Sequence, residues 1–184
     1  PSTSTKAFLT EISESKLVPV SCSEDWDEVT SSTMDLIEPL FEGVQLQRVH
    51  GDCHRGNILD RLDEGLLLYD FDDMANGPPV QDLWLLLPDY AEHCKREITM
   101  LLDGYSQFSE LQAGALDLIE PLRFMRMAYF LVWRARQSHD YWFKSNFPDW
   151  GTEAFWIKVI EDFRVQRDVI AGSLGSTDNT NTWS

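Results

Sequence analysis

Two short segments combine residue types that bind divalent cations and handle protons. The first, residues 50–57 (HGDCHRGN), places Asp52 and Asn57 five positions apart in a polar loop between two predicted strands. The second, residues 70–73 (DFDD), directly follows a strand that pairs back toward that loop, so Asp70 can approach Asp52 and Asn57. Hard oxygen ligands of this kind suit Mg²⁺, which takes few protein ligands together with substrate phosphates. An aspartate not used for metal can orient a hydroxyl for attack on phosphorus, so the pattern predicts phosphoryl transfer.

The same loop allows two other interpretations. His50, Cys53 and His54 have the ligand types of a zinc site, but no fourth Cys or His stands at a customary spacing. Cys53 beside His54 could be a thiol nucleophile with its base. Adjacent residues usually cannot form such a pair, so we interpret Cys53 as a small packing residue. Solvated acidic loops are common, but the joint pattern is far more specific than either segment alone.

The elements around these segments are predicted to be mostly helical. Apolar residues at three- and four-residue steps predict a helix from Trp26 to Phe41, with Ser23 as N-cap and Gly43 after its end. A strand at residues 45–49 enters the loop, and an apolar hairpin leaves it. The hairpin strands are residues 58–59 and 66–69, and further helices are predicted at residues 79–87, 90–108, 116–137 and 153–170, the last capped by Thr152.

These elements divide the chain into three parts. Residues 1–22 are a polar N-terminal segment, and residues 23–171 form one lobe that includes an aromatic loop at 140–150. Residues 172–184 are rich in Ser, Thr, Asn and Gly, which predicts a disordered tail.

Charge and cysteine content exclude several classes of protein. The 184 residues hold 15 Lys and Arg against 31 Asp and Glu, a formal net charge of −16 without any basic block. Nucleic acid and anionic membrane surfaces are therefore not expected partners. No apolar run approaches the roughly 20 residues needed to span a bilayer. Three widely spaced cysteines form no disulfide framework, which favours a reducing cytoplasm.

The motif residues resemble a known family. Residues 50–59, Asp70 with Asp72 and Asp73, and residues 76–87 and 119–126 are similar to the bacterial stress response kinase A family. That family is a member of the aminoglycoside phosphotransferase and choline kinase-like branch of the protein-kinase fold. The resemblance covers residues 30–165 approximately and implies the C-terminal lobe of an α+β kinase fold, mostly α with a few short β hairpins. It also implies Mg²⁺-dependent transfer of phosphate from ATP to a hydroxyl group. The acceptor that the resemblance favours is a Ser or Thr residue of a protein.

The resemblance implies a role for each motif residue. Asp52 resembles the catalytic aspartate that accepts the substrate's hydroxyl proton, while Asn57 and Asp70 resemble magnesium ligands. His50 resembles a residue that braces the catalytic loop. Asp82 resembles a buried aspartate that caps the loop backbone, and an ordinary first-turn carboxylate favoured by the helix dipole is the alternative. The expected catalytic residues are Asp52 and Asp70, and the expected cofactor-binding residues are Asn57, Asp70 and His54.

Two positions depart from the pattern of protein kinases. Asp72 stands where many of them have the glycine of Asp-Phe-Gly, so Asp72 and Asp73 either support a second metal or are solvated, and we favour solvation for Asp73. His54 stands where a lysine commonly follows the catalytic aspartate by two residues. A histidinium there could neutralise γ-phosphate charge, and a neutral, hydrogen-bonding imidazole is the alternative.

Parts of a complete kinase are not found in this sequence. No two glycines are separated by a single residue, and the only lysines before the loop are Lys6 and Lys16. The sequence therefore has no match to a phosphate-covering glycine loop or to the lysine that a neighbouring strand supplies in kinases. We expect the chain to be the C-terminal lobe of a larger kinase, inactive alone, with a nucleotide lobe as its partner. Self-association through the apolar docking surface is a further expectation.

Two alternative functions remain open. A small-molecule kinase would act on an amino alcohol, an amino acid, a sugar or an aminoglycoside, and the aromatic residues between Trp142 and Trp150 could help bind a cationic acceptor. A non-catalytic binding module would keep the lobe only as an interaction surface. The joint presence of Asp52, Asn57 and Asp70 argues against that module.

Overall fold

Helices form most of the chain, as the apolar spacing predicts. The structure, a computed structural model, describes residues 2–177. Its helices are α1 (Ser2–Glu14), α2 (Val20–Ile37), α3 (Val80–Trp84), α4 (Lys95–Tyr105), α5 (Ile119–Gln137), α6 (Phe143–Asn146) and α7 (Glu153–Thr177). Its strands are β1 (Gln47–Val49), β2 (Ile58–Asp60), β3 (Leu66–Leu68) and β4 (Ala75–Gly77). This mostly helical fold with short antiparallel strands confirms the predicted fold class.

The described residues form two compact units. The first unit comprises residues 2–41 and 121–177, and the second comprises residues 42–120. In the first unit α2 packs along α7, and Trp26 meets Trp156 edge to face with ring centroids 5.5 Å apart. Both indoles are fully buried, and Phe163 lies 5.2 Å from Trp26. Large buried aromatic side chains dominate core energetics, so this cluster stabilises the first unit.

The second unit contains two small antiparallel sheets. β1 pairs with β4, with Gln47 opposite Gly77, and β2 pairs with β3, with Ile58 opposite Leu68. The segment between β1 and β2 therefore runs from one sheet to the other, and so does the segment between β3 and β4. Because both segments bridge the same two sheets, residues 50–57 and residues 69–74 lie side by side.

Several predicted element boundaries are wrong. α2 begins at Val20, and Ser23 lies inside it with its hydroxyl donating to the Val20 carbonyl (2.9 Å), so Ser23 is not the N-cap. α3 ends at Trp84, three residues before the predicted end. The predicted helix at 90–108 is broken, because a 3₁₀ turn at Ala91–His93 precedes α4. The predicted aromatic loop contains α6.

The structure also differs from the predictions for the N-terminal segment and the C-terminal tail. α1 lies within the predicted polar segment, and its buried Thr5, Leu9 and Ile12 recur at helical spacing on one face. α7 begins with the predicted cap, since the Phe155 amide donates to the Thr152 hydroxyl (3.2 Å). α7 continues to Thr177, so residues 172–177 of the predicted tail are helical, and residues 178–184 lie outside the described residues. No described helix is long and apolar enough to cross a membrane.

Candidate active site

The first turn of α3 holds the start of the loop at residues 50–57. The two carboxylate oxygens of Asp82 accept hydrogen bonds from the backbone amides of His50 (2.7 Å) and Gly51 (3.0 Å). Charged acceptors form the stronger hydrogen bonds of proteins, and two successive amides fix the direction in which the chain leaves β1. Asp82 therefore contacts the loop backbone directly, as the cap interpretation predicted.

His50 links the loop to the segment after β3. Its Nε2 lies 2.9 Å from the carbonyl oxygen of Tyr69, and its ring lies 4.6 Å from the ring of Phe71. The amide of Asp52 approaches the other ring nitrogen at 3.4 Å. The imidazole is buried, so these contacts fix the spacing of the two segments. This geometry agrees with the bracing role that the resemblance implies for His50.

Gly51 allows the two segments to approach closely. Its φ is +86°, a backbone conformation that residues other than glycine rarely adopt. A Cβ at this position would lie 2.2 Å from the carbonyl oxygen of Asp73, which is far inside van der Waals contact. Gly51 was not among the predicted site residues, although a glycine directly before a functional aspartate indicates such an approach.

Asp52 and Asn57 meet within the loop. The Nδ2 of Asn57 donates to the Asp52 carbonyl (3.0 Å) and lies 3.3 Å from the Oδ2 of Asp52. Asn57 is buried, whereas the side chain of Asp52 keeps 20% of its surface exposed. Because the amide nitrogen of Asn57 faces Asp52, its amide oxygen is the atom that can bind a cation.

The register of the second sheet determines the position of Asp70. The amide of Tyr69 donates to the Asn57 carbonyl (3.2 Å), which extends the β2–β3 ladder by one pair. Asp70 is the next residue, and its φ of +62° turns the chain away from the ladder in a conformation that Asp adopts more readily than most residues. The structure thus brings Asp70 to the edge of the hairpin that carries Asn57.

Other metal sites are not formed. Among residues 2–177 no three His, Cys, Asp or Glu side chains come together in a way that could hold a metal ion. The zinc interpretation is therefore wrong, since His50 contacts Tyr69 while His54 contacts Gly56. Asp70, Asp72 and Asp73 are all exposed.

Cys53 has the surroundings of a packing residue. Its side chain is buried, and burial is the main cause that raises the pKa of its thiol, followed by the nearby carboxylates of Asp82 and Asp52. A raised pKa lowers the fraction of reactive thiolate at neutral pH. The environment of Cys53 is therefore the opposite of that of a catalytic nucleophile.

His54 and Tyr69 both contact Gly56. The Gly56 amide donates to the Nδ1 of His54 (2.9 Å), and the Tyr69 hydroxyl donates to the Gly56 carbonyl (2.6 Å). The Nε2 of His54 lies 3.5 Å from the Oδ2 of Asp52. Tyr69 was not among the predicted site residues, because an aromatic residue at the end of a hairpin strand usually has only a packing role.

Comparisons with known proteins agree with this geometry. A model described as "Phosphotransferase enzyme family" matches residues 22–125, more than half of the chain. The chain is 40% identical over 129 residues to stress response kinase A of Escherichia coli (strain K12), covering 70% of this chain and 39% of that protein. It is 40% identical over 123 residues to serine/threonine protein kinase RdoA of Salmonella typhimurium (strain LT2), covering 67% of this chain and 37% of that protein.

These matches confirm the resemblance that the motifs indicated. The chain spans less than half the length of the curated relatives it matches. The matched residues include the loop at 50–57, the segment at 70–73 and α3. The chain therefore belongs to the phosphotransferase enzyme family.

Proposed function

We propose that this chain supplies the catalytic and metal-binding residues of a kinase that transfers the γ-phosphoryl group of ATP to a hydroxyl of protein Ser/Thr. The observation that carries the proposal is the meeting of Asp52 with Asn57 beside the hairpin end that presents Asp70. The relatives bear the names of kinases, one of them a serine/threonine protein kinase. "Intact kinase" below means this chain together with a nucleotide lobe, the partner that we propose for it.

Asp52 acts as the proton acceptor in this proposal. Its carboxylate is partly exposed, so an acceptor hydroxyl can reach it, while Asn57 and the loop backbone hold it in place. A positioned carboxylate that takes the hydroxyl proton orients the oxygen for in-line attack on phosphorus. Asp82, His50 and Gly51 then serve to keep the loop in this one arrangement before substrate arrives.

Asn57 and Asp70 are the residues that would hold Mg²⁺. Their amide and carboxylate oxygens are hard donors, and one or two such protein ligands suffice when substrate phosphates complete the coordination. Mg²⁺ bound there would neutralise negative charge on the transferring phosphoryl group. In a chain of net charge −16, that neutralisation also reduces repulsion between ATP and the acidic segment at residues 70–73.

Transfer of radiolabelled phosphate from ATP by the intact kinase tests the proposal. Proteins rich in Ser and Thr form one panel of acceptors, and amino alcohols, amino acids, sugars and aminoglycosides form the other. Label on Ser or Thr residues that is lost in the Asp52→Asn variant is the expected result. Label confined to small molecules would overturn the acceptor class, and no transfer to any acceptor would leave the binding-module alternative.

A further inference from the structure

The hydrogen bond of His54 defines which ring nitrogen carries the proton. The amide of Gly56 is a donor, so Nδ1 of His54 must accept and is unprotonated when the two lie 2.9 Å apart. In the neutral imidazole the proton then resides on Nε2. That nitrogen lies 3.5 Å from the Oδ2 of Asp52, an ion-pair distance that brings the ring beside the candidate base. Contacts of this length in a site without substrate commonly tighten in the reacting complex.

A second side chain approaches the same oxygen of Asp52. The Nδ2 of Asn57 lies 3.3 Å from Oδ2, so His54 and Asn57 approach that oxygen together. Two side chains beside one oxygen restrict rotation of the carboxylate about its Cβ–Cγ bond.

Gly56 and Tyr69 hold the imidazole of His54 in turn. The Tyr69 hydroxyl fixes the carbonyl of Gly56 at 2.6 Å, while the Gly56 amide holds Nδ1. A Cβ on Gly56 would lie 2.7 Å from Cε1 and 2.9 Å from Nδ1 of His54. Gly56 has no positive φ, so a Cβ there would act by displacing the ring of His54 rather than by straining the backbone.

From these contacts we propose that His54 is a positioning residue for Asp52, held by Gly56 and Tyr69, and is not a ligand of the nucleotide phosphates. The proposal rests on the proposed function, because it concerns the residue that we assign as proton acceptor. It replaces the sequence-based expectation that His54 binds cofactor. Nδ1 of this ring is hydrogen-bonded to Gly56, and Nε2 lies 3.5 Å from Asp52, so both polar atoms face groups of the loop.

The tautomer of His54 can be measured in the 184-residue chain without any activity. At about pH 8, where a histidine is ordinarily neutral, nitrogen-15 NMR of the imidazole should report a protonated Nε2 and a bare, hydrogen-bonded Nδ1. The Tyr69→Phe variant should shift the Gly56 amide signal, whereas Tyr105→Phe in α4 should not. A proton on Nδ1 would overturn the proposal, because Nδ1 could not then accept from Gly56.

Two substitutions at His54 separate its two contacts in the intact kinase. Glutamine can place an amide nitrogen near the position of Nε2, whereas asparagine reaches only the position of Nδ1. We expect His54→Asn to lower kcat by about 10- to 100-fold, the usual effect of removing an orienting partner, with KM for ATP unchanged. His54→Gln should keep most of the kcat of the unmodified kinase. A higher KM for ATP in both variants, with kcat retained, would instead identify His54 as a phosphate ligand.

A double-mutant cycle tests whether Gly56 acts through His54. Gly56→Ala should lower kcat as His54→Ala does, because the added methyl group displaces the ring. The double variant should be no worse than His54→Ala alone, since residues acting through one contact are not additive. Additive losses would overturn the link, and His139→Asn serves as a matched exposed control. If Asp52→Asn leaves kcat unchanged, the proposed function itself fails, whatever His54 does.

Discussion

At the scale of single residues, the chemistry depends on which atoms of Asp52 and Asn57 face each other. The Asn57 amide nitrogen binds both the carbonyl and the carboxylate of Asp52, so one side chain orders the loop and still offers an oxygen to a cation. Spacing in the sequence predicted that these two residues converge. It could not predict the contacts of Tyr69 and Gly51, because they depend on how closely two backbone segments approach.

The Asp52→Asn variant tests the assignment of the base. It keeps the size of the side chain but removes the charge that accepts the hydroxyl proton. We expect kcat of the intact kinase to fall by about 10²- to 10⁴-fold, the range for a positioned base, with little change in nucleotide affinity. Steady-state kinetics with varied ATP measures both quantities. Turnover close to that of the unmodified enzyme would remove Asp52 from the mechanism.

The Mg²⁺ concentration that each alanine variant requires should rank the candidate metal ligands. Asp70→Ala and Asn57→Ala each remove a hard oxygen ligand, so both should raise the Mg²⁺ concentration that gives half-maximal activity of the intact kinase. Asp73→Ala should raise it less, because we propose Asn57 and Asp70, and not Asp73, as the magnesium ligands. Titration of Mg²⁺ against activity gives the ranking. Equal effects at all three positions would contradict the assignment of Asp73.

Cys53 should react slowly with alkylating reagents in the folded chain. Burial and the carboxylates of Asp82 and Asp52 raise its pKa, so at a given pH less thiolate is present than in the unfolded chain. Iodoacetamide labelling followed by peptide mass mapping should show protection near neutral pH and loss of protection in denaturant. Rapid labelling of the folded chain near neutral pH would mean that Cys53 is an activated thiol after all.

At the scale of elements, the sequence predicted β1, β2 and β3 but neither β4 nor several helix ends. The hairpin of β2 and β3 was predicted because two apolar runs flank Asp63, Glu64 and Gly65. The start of α2 was predicted wrongly, because Ser23 is a residue type that often caps helices but lies one turn inside this helix. α1 was missed because Ser and Thr dilute the spacing of its buried residues. Propensity describes local preference, and packing of α2 on its neighbours decides where the helix begins.

Asp82 shows how one element positions another, and its loss should be measurable as stability. Asp82→Ala leaves the amides of His50 and Gly51 without their acceptor, which should lower the free energy of unfolding by about 1–3 kcal/mol. Chemical denaturation measures this change. Asp103→Ala, an exposed aspartate in α4, should change it by less than about 0.5 kcal/mol. An equal effect of the two substitutions would mean that Asp82 does not hold the loop.

At the scale of the whole molecule, the chain contains the proposed residues for proton transfer and metal binding but no phosphate-covering glycine loop. Its formal net charge of −16 favours cationic partners and disfavours free ATP. Around the β2–β3 hairpin several apolar side chains are exposed, Leu62 by 84% and Leu66 by 70%. Exposed apolar groups of this extent are typical of surfaces that bind another protein, which agrees with the proposed nucleotide lobe as partner.

The 184-residue chain by itself should therefore bind nucleotide weakly and transfer no phosphate. Phosphoryl transfer requires ATP and acceptor to be held in line, and much of the contact with ATP belongs to a glycine loop and a lysine that this sequence lacks. We expect a Kd for MgATP of about 1 mM or weaker, roughly 4 kcal/mol of binding free energy. Calorimetry with MgATP and a radiolabel transfer assay on the purified chain measure the two properties. Micromolar binding that is lost in Asp70→Ala, or turnover near about 1 per second as in typical kinases, would show that these residues form a complete enzyme.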